Sequence, residues 1–334
     1  MQPILQVDNL TIGIRGEEGE FQPVNGVSFE VFPGETLGIV GESGCGKSVT
    51  SLSIMGLLPQ GIGRIAEGSI RFQGRDLTKL PAKELRKLRG NEISMIFQEP
   101  MTSLNPVYTI GEQLGEQIRL HLGLSKREAK ERCIDLLQMV GIPRAEGIVK
   151  EYPHQLSGGM RQRVMIAMAM SCQPQLLIAD EPTTALDVTI QAQILDLMRK
   201  VKHTNGTSII LITHDLGIVA EMCDRVVVMY AGQIIEQAPV RELFNHPAHP
   251  YTKGLIASIP KLEEQKRRLY SIKGSVPHPS SMPSGCRFAP RCEFFRESCR
   301  VAPPLFSLNQ THQSRCWLAE EGGREHGGDI AAST

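Results

Sequence analysis

Short runs of alternating apolar and polar residues fill the first part of the chain, between residues 4 and 40. One example is V-S-F-E-V at residues 27–31, and the runs are separated by Gly16, Gly19, Gly26 and Pro33-Gly34. A period of two between turn residues is typical of antiparallel strands. We therefore predict an antiparallel β subdomain here. Residues 69–73 are predicted as another strand, and residues 93–97 as a more buried one.

The pattern changes to a helical period between about residues 105 and 172. The segment S-K-R-E is a capping box, in which Ser125 and Glu128 would close the first turn of a helix. The apolar positions that follow share one helix face: Ala129, Cys133, Leu136, Leu137 and Val140. Gly141 and Pro143 are typical of a helix end. This stretch predicts a helical insert.

Strand-like apolar runs return at residues 175–179, 208–213 and 225–229, with helical patterns between them. This alternation predicts an α/β domain, in which a parallel sheet has helices on both faces. From about residue 260 onward prolines, serines and charged residues dominate. Such a C-terminal extension is too poor in apolar periodicity to form its own core, so we expect the main domain or a metal to order it.

Candidate chemistry begins at residues 41–48, where G-E-S-G-C-G-K-S fits the phosphate-binding loop pattern G-x-x-x-x-G-K-[S/T]. Backbone N–H groups of such a loop surround a phosphate, Lys47 adds a cation, and the Ser48 hydroxyl is a ligand for Mg²⁺. We expect the whole loop to bind a nucleoside triphosphate through Gly41, Glu42, Ser43, Gly44, Cys45, Gly46, Lys47 and Ser48.

Two carboxylates follow an apolar strand further along the chain. The run Leu176-Leu177-Ile178-Ala179 is followed directly by Asp180 and Glu181. A buried strand can carry an acid to the Mg²⁺ beside a bound nucleotide, and Asp180 is placed for that role. Glu181, one residue further along, could polarise an attacking water.

The segment L-S-G-G-M-R-Q-R at residues 156–163 resembles the signature of the ATP-binding-cassette (ABC) ATPases. The order of motifs also resembles that family: phosphate loop, Gln98, signature, Asp180-Glu181, Thr184-Ala185-Leu186-Asp187 and His214. The resemblance covers about residues 4–258. It implies that Gln98 senses the γ-phosphate and Mg²⁺, that His214 contacts the γ-phosphate, and that Asp187 lies at a subunit contact.

The same resemblance implies that two such domains face head to tail around ATP. Ser157, Gly158 and Gly159 open a helix, so their N–H groups form a second anion-binding site. One chain cannot wrap both anion sites around one nucleotide. We therefore expect a second ATPase subunit to complete each site.

Two positions depart from the family pattern. Met160 stands where many members have Gln, outside the N–H groups that would face the nucleotide. The family commonly stacks adenine on an aromatic residue before the phosphate loop, and this chain has Ile14 near the expected place. Phe21 is the nearest aromatic residue and our candidate for the adenine contact, although a plain core or hairpin role explains a phenylalanine there equally well.

Further segments narrow the resemblance to the ATP-binding subunits of oligopeptide and dipeptide importers, a group that includes nickel importers. They are F-Q-E-P-M-T-S-L-N-P at residues 97–106, Y-P-H-Q at 152–155, H-P-Y-T-K-G-L at 249–255 and the cysteine-rich tail. The resemblance implies ATP-driven peptide import with a second, different ATPase subunit, two membrane permease subunits and an external peptide-binding protein. It places the chain peripherally on the cytoplasmic face of the cell membrane.

Composition agrees with that class. Lys and Arg together number 36, as do Asp and Glu, so no basic field favours nucleic acid as a partner. The sequence lacks a long apolar run and a signal-like start, which predicts a cytosolic location. The alternatives are a cassette that drives nickel or another solute, a soluble ABC ATPase acting on nucleic acid, and a regulatory cassette that binds ATP without hydrolysing it.

Four of the eight cysteines lie in the tail: Cys286, Cys292, Cys299 and Cys316. Four thiolates can hold a tetrahedral zinc ion or a [4Fe–4S] cluster, and the spacing matches neither the short zinc-ribbon pairs nor the ferredoxin run. Free thiols are the third possibility. The resemblance to peptide importers favours the iron–sulfur cluster, in a structural role.

These observations give three expected regions. Residues 1–258 would form the ABC ATPase domain, with a helical subdomain at about 105–172. Residues 259–320 would form the small Cys-rich extension, and residues 321–334 a disordered tail.

Overall fold

The structure is a computed structural model that describes residues 1–16, 19–98, 103–184, 186–259 and 270–320. The tail that we expected to be disordered, residues 321–334, lies outside the described residues. So do Ala185 and residues 99–102, which belong to two of the family-like segments.

The described chain contains strands and helices along its whole length. The strands are β1 (Leu5–Gly16), β2 (Gly19–Val31), β3 (Thr36–Val40), β4 (Gly63–Phe72), β5 (Arg75–Asp76), β6 (Ile93–Ile96), β7 (Leu176–Asp180), β8 (Ser208–Thr213), β9 (Arg225–Tyr230), β10 (Gln233–Pro239), β11 (Phe306–Ser307) and β12 (Gln313–Ser314). The α-helices are α1 (Lys47–Ile54), α2 (Ala82–Leu88), α3 (Ile110–Leu122), α4 (Lys126–Met139), α5 (Ala145–Ile148), α6 (Gly158–Met170), α7 (Val188–Asn205), α8 (Leu216–Met222), α9 (Val240–Asn245) and α10 (Pro250–Ala257). None of these helices combines the length and the apolar character that crossing a bilayer requires.

The chain divides into two compact units that alternate along the sequence. The first unit contains Met1–Ile4, Val31–Thr36 and Gln73–Ile212, and the second contains Leu5–Glu30, Leu37–Phe72 and Thr213–Thr334. The domain boundaries inferred from the sequence, at residues 258 and 320, stay predictions.

A parallel sheet forms the centre of the first unit. β7 pairs in parallel with β6 on one side and with β8 on the other. All five residues of β7 and all six of β8 are buried, as expected for strands covered on both faces. The two carboxylates after Ala179 therefore stand at the carboxyl end of a fully buried strand.

Helices α3, α4 and α6 of the first unit begin at residues whose side chains cap them, Thr109, Ser125 and Ser157. The capping box predicted at the start of α4 is confirmed, because Ser125 Oγ accepts from the Glu128 N–H and Glu128 Oε2 accepts from the Ser125 N–H. Thr109 and Glu112 form a second one at α3. The predicted apolar face of α4 is buried at all five positions, Ala129, Cys133, Leu136, Leu137 and Val140.

The second unit contains an antiparallel sheet in the order β2-β1-β4. The prediction that Gly26 interrupts a strand was wrong, since β2 continues through it. Gly26 adopts a φ of +65°, and its N–H donates to Thr11 Oγ1 at 3.1 Å. A glycine can take this backbone conformation without strain, so the strand bends there and goes on.

A second sheet of this unit has the order β11-β12-β10-β9-β3. β3 and β9 are parallel, whereas β9, β10, β12 and β11 pair antiparallel. The C-terminal extension joins this sheet through β12, where Ser314 lies opposite Glu236. This pairing is consistent with the expectation that either the main domain or a metal orders the extension, which stays a prediction.

Glu236 on β10 connects the extension to the chain before α10. Its side chain is fully buried and accepts hydrogen bonds from the N–H groups of Ala248 and His249, at 2.6 and 2.9 Å. His312 Nε2, in the extension, lies 2.8 Å from Glu236 Oε1. A buried carboxylate with these partners is stable only while all of them are in place.

Replacing Glu236 by Ala should therefore destabilise the protein strongly. The change leaves two buried N–H groups and His312 without their acceptor, which we expect to cost about 3–5 kcal/mol of unfolding free energy. Urea unfolding monitored by circular dichroism measures it. Glu297→Ala is the matched control, because Glu297 pairs with Arg300 and its side chain is 81% exposed. A Glu236→Ala protein as stable as this control would contradict the assignment.

Candidate nucleotide-binding site

The phosphate loop of the second unit lies between the buried strand β3 and helix α1. Its path depends on glycine at two positions. A Cβ on Gly41 would lie 2.2 Å from the Met229 carbonyl oxygen, and a Cβ on Gly46 would lie 2.6 Å from the Pro23 carbonyl oxygen. Both distances are shorter than any tolerable contact, so these glycines allow the neighbouring backbone to approach the loop.

The polar groups of the loop fit a polyphosphate. Within the described part of the chain, the N–H groups of Ser43, Gly44 and Gly46 have no protein acceptor. Lys47 Nζ donates to the carbonyl oxygens of Gly41 and Glu42, at 2.7 and 3.1 Å. Because its partners are neutral carbonyl oxygens, the Lys47 ammonium group can exchange them for phosphate oxygens. The Ser48 hydroxyl at the next position is an oxygen ligand of the kind that Mg²⁺ takes.

Cys45 occupies one of the variable positions of the loop and is fully buried. Burial raises the pKa of its thiol, although the neighbouring Lys47 acts in the opposite direction. The thiol is therefore neutral at physiological pH. Cys45 supports the loop as a small apolar side chain.

The acidic pair of the first unit stands at the end of β7. Asp180 is the last residue of that strand and is only 3% exposed. Glu181 follows with a φ of +48°, a conformation that non-glycine residues seldom adopt, and its N–H donates to the Ile212 carbonyl oxygen at 2.9 Å. This conformation turns the chain between the two acids. Strained backbone conformations of non-glycine residues are concentrated at functional positions.

The structure brings Glu181 together with Gln98, which the sequence places 83 positions away. Gln98 Nε2 donates to Glu181 Oε2 at 3.0 Å, and Thr184 Oγ1 donates to the same oxygen at 2.9 Å. Two donors fix the orientation of the carboxylate. A carboxylate oriented in this way can accept a proton from water.

The other candidates of the sequence analysis are more exposed. His214 follows β8 and is exposed, and Ser157 and Gly158 are exposed at the start of α6. Ser157 Oγ accepts from the Met160 N–H at 3.3 Å, which caps that helix. A Cβ on Gly158 would meet nothing within 4 Å. The signature N–H groups thus begin a 13-residue helix at an accessible surface.

Asp187, which we predicted at a subunit contact, caps a helix in the structure. Its side chain accepts from the Ile190 N–H at 2.9 Å and caps α7. Val188 beside it is 82% exposed. The cap holds the start of α7 in an exposed position.

Phe21, the candidate for the adenine contact, lies on β2 in the second unit. Its ring is half-buried, and its centroid lies 6.5 Å from that of His278 in the extension. The planes are inclined by 44°. This contact provides a second ring near Phe21 that sequence reasoning had missed, and no pattern in the sequence indicates it.

The four tail cysteines line one small cavity of the second unit, together with Phe288, Phe294 and Trp317. Burial raises the pKa of Cys286, Cys292 and Cys316, to about 11 for Cys316, and the neighbouring thiols act in the same direction. No group of three or more His, Cys, Asp or Glu residues in the described ranges is placed to hold a single metal ion. The structure thus places the four thiols around one cavity without the close spacing of a one-ion site.

Comparisons with known proteins identify the family. The family described as "ABC transporter" matches residues 24–184, and the one described as "Oligopeptide/dipeptide transporter, C-terminal region" matches residues 235–299. The oligopeptide transport ATP-binding protein AppD of Bacillus subtilis is 55% identical over 326 residues, which cover 97% of this chain and 99% of AppD. The chain belongs to the ABC transporter family, in its oligopeptide/dipeptide group. A peptide import ATP-binding protein of Brucella ovis is 56% identical over 94% of this ABC protein and 97% of the relative.

Solved structures of ABC cassettes share the fold. The ATP-binding cassette MJ0796, solved as a dimer in a post-hydrolysis state with ADP and Pi, superimposes with a TM-score of 0.64 at 27% identity, over 71% of this chain and 99% of that one. CbiO1 of Clostridium perfringens, part of the ABC transporter complex cbiONQ, gives a TM-score of 0.61 at 28% identity, over 74% of this chain and 92% of that one. The fold is that of a P-loop ABC ATPase.

The glycine at position 41 provides a direct test of the phosphate loop. In Gly41→Ala the new Cβ displaces either the loop or β9, so we expect nucleotide affinity to fall about tenfold or more. Titration with a fluorescent ATP analogue measures the affinity. Gly206→Ala is the matched control, because Gly206 also has a positive φ, +67°, but a Cβ there meets nothing within 4 Å. Equal affinities in the two variants would mean that the close approach to Met229 does not shape the site.

Proposed function

We propose that this chain is the ATP-hydrolysing subunit of an ABC transporter that imports di- and oligopeptides. The observation that carries the proposal is its similarity to an oligopeptide transport ATP-binding protein along 97% of the chain. The match of residues 235–299 to the oligopeptide/dipeptide C-terminal region supports the same solute class.

The phosphate loop is the proposed binding site for the triphosphate of ATP. The N–H groups of Ser43, Gly44 and Gly46 would donate to phosphate oxygens, and Lys47 would exchange its carbonyl partners for the β- and γ-phosphates. Phe21 stays our candidate for the adenine contact. Binding of this kind depends on backbone geometry, so side-chain changes at Ser43 or Cys45 act on it only indirectly.

Hydrolysis is the proposed task of the groups around Glu181. When bound, Mg²⁺ would neutralise phosphate charge, and Ser48, Gln98 and Asp180 are the proposed residues that hold it. Glu181 would orient and polarise the attacking water, with Gln98 and Thr184 fixing its carboxylate. His214 would contact the γ-phosphate. Positioning and charge neutralisation suffice for this reaction, so no covalent intermediate with the chain is needed.

A second ATPase subunit is part of the proposal. Ser157 and Gly158 are exposed and Gly159 is half-buried at the start of α6, where their N–H groups could face the nucleotide of a partner subunit. The dimeric state of the related cassette MJ0796 supports this arrangement. Asp187 would lie at the contact. Two permease subunits and an external peptide-binding protein would complete the importer and hold this chain peripherally at the cytoplasmic face of the membrane.

Replacing Glu181 by Gln tests the catalytic assignment. The amide oxygen can still accept from Gln98 and Thr184 but cannot take a proton, so we expect ATP turnover to fall by about a hundredfold or more with nucleotide affinity nearly unchanged. Phosphate release by the reconstituted transporter, with its binding protein and candidate peptides or nickel, measures the rate. Glu131→Gln is the control, since the Glu131 side chain is 67% exposed. Normal turnover in Glu181→Gln would remove Glu181 from this role.

The cysteine cavity is the proposed site of a [4Fe–4S] cluster. Four thiols that line one cavity are the ligand set that a [4Fe–4S] cluster takes, and the resemblance to peptide importers favours the cluster over a zinc ion. The raised pKa values mean that the thiols of Cys286, Cys292 and Cys316 stay protonated on their own, and a cationic group would be needed to hold them as thiolates. Such a cluster would stabilise the extension.

Metal content distinguishes the alternatives for these cysteines. Protein purified without oxygen should contain about four irons and absorb broadly in the visible range, and Cys292→Ser should lose both properties. Cys172→Ser, a change at a buried cysteine of the first unit, should keep them. One zinc per chain would support the zinc alternative. Colourless protein without any metal would leave free thiols.

A further inference from the structure

The cysteine segment at residues 286–292 contacts the phosphate loop, and this contact has no part in the mechanism described above. Arg291 Nη1 lies 2.9 Å from Glu42 Oε2, and Arg291 Nη2 lies 3.1 Å from Glu42 Oε1. The pair is bidentate, which is the geometry in which a guanidinium binds a carboxylate most strongly. The two residues are 249 positions apart, and Glu42 is the second residue of the loop.

The guanidinium of Arg291 is buried and contacts several groups. Its side chain is only 5% exposed, while that of Glu42 is 30% exposed. Arg291 Nε donates to the Lys273 carbonyl oxygen at 2.8 Å. The ring centroids of Tyr230 and Phe288 lie 5.7 and 6.0 Å from its central carbon, within the range of cation–π attraction. An ion pair with one buried and one partly buried partner fixes its two side chains more than a fully exposed salt bridge does.

Glu42 is in turn fixed at three points. Its N–H donates to Tyr251 Oη at 2.9 Å, its carbonyl oxygen accepts from Lys47 Nζ, and its carboxylate binds Arg291. Arg287, next to Cys286, donates to the Ala231 carbonyl oxygen, and the N–H of the adjoining Gly232 donates to the Cys45 carbonyl oxygen at 3.0 Å. The cysteine segment therefore acts on the loop through two arginines. Arg291, next to Cys292, binds the loop directly, and Arg287, next to Cys286, binds the turn that contacts it.

The negative charge of Glu42 links its contact with Arg291 to nucleotide binding. Glu42 carries a negative charge inside a loop whose proposed ligand is a triphosphate. Without Arg291 that charge would be uncompensated and would repel the ligand. The Glu42 carboxylate would also lose the partner that fixes its position, and the loop could change shape. With Arg291 in place the charge is neutralised and the loop keeps its shape.

We propose that Arg291 is a positioning residue for the phosphate loop, acting through Glu42, so that ATP affinity depends on an ordered cysteine segment at residues 286–292. The proposal rests on the nucleotide binding proposed above. It assigns the C-terminal extension a role in the ATPase site in addition to its own stability. Any change that disorders this segment would then lower ATP affinity by releasing Arg291.

A double-mutant cycle on the full-length protein tests this coupling. Four proteins are compared for binding of a fluorescent ATP analogue: wild type, Arg291→Gln, Glu42→Gln and the double variant. We expect Arg291→Gln to weaken binding about tenfold, because it leaves a carboxylate unpaired beside the ligand. The double variant should recover most of this loss, since it has no charge to compensate. A residue that only stabilises the fold would show no such recovery.

Arg300→Gln is the matched control, because Arg300 belongs to the same extension but its pair with Glu297 is exposed. It should bind ATP like the wild type. Thermal unfolding and iron content, measured on every variant, report separately on the order of the extension. If Arg291→Gln does not fold, the same cycle is run with Arg291→Lys, which keeps the charge and should lose about threefold in affinity.

The outcomes separate this proposal from the proposed function. Wild type that binds no nucleotide would overturn both. Normal ATP affinity in Arg291→Gln, or a double variant as weak as Arg291→Gln, would overturn the coupling while leaving the ATPase assignment intact. Recovery in the double variant, with Arg300→Gln unaffected, would support it.

Discussion

Backbone N–H groups that bind phosphate have to be held in place while they stay unpaired, and this constraint explains much of the second unit. Inside the loop at residues 41–48, Lys47 donates to the Gly41 and Glu42 carbonyl oxygens, and further contacts come from its surroundings. Met229 leaves room only for a glycine at position 41, Gly232 donates to the Cys45 carbonyl oxygen, and Tyr251 accepts from the Glu42 N–H. These supports belong to β9, the β9–β10 turn and α10, all far from the loop in sequence. β9, the β9–β10 turn and α10 thus hold the loop in place while its N–H groups stay available to a ligand.

In the first unit, acidic side chains rather than backbone N–H groups have to be held in place. A buried strand delivers Asp180 and Glu181 to one edge of the sheet, and a left-handed backbone at Glu181 turns the second acid away from the first. Gln98, which follows β6 on the neighbouring strand of the same sheet, then donates to Glu181. Parallel strands end at the same edge, so residues that follow them meet there regardless of their separation in the chain. The catalytic assignment gains its geometry from this topology.

The C-terminal extension shows how a segment with little apolar content becomes ordered. Its few buried residues are attached to the second unit by polar groups: β12 pairs with β10, His312 binds the buried Glu236, and Arg291 binds Glu42. The last two attachments use charged or polar side chains that are at least partly buried, where their removal is costly. The extension is consequently well anchored without a core of its own, and its cysteines face one another around a cavity.

The sequence by itself determined the elements and the chemistry. Periodicity located β7, β8, β9 and the capped helix α4 within one or two residues, and the motif spacing identified the phosphate loop, the acidic pair and the signature. Both kinds of signal are local, because a strand, a cap or a glycine-rich loop depends on a few adjacent residues. Gly26 is the exception, since only pairing with β1 decides whether a glycine ends a strand or bends it. Tertiary structure alone decided the partnerships of Gln98 with Glu181 and of Arg291 with Glu42, because a hydrogen bond between residues 83 or 249 positions apart depends on how strands are ordered in space, which no local pattern encodes.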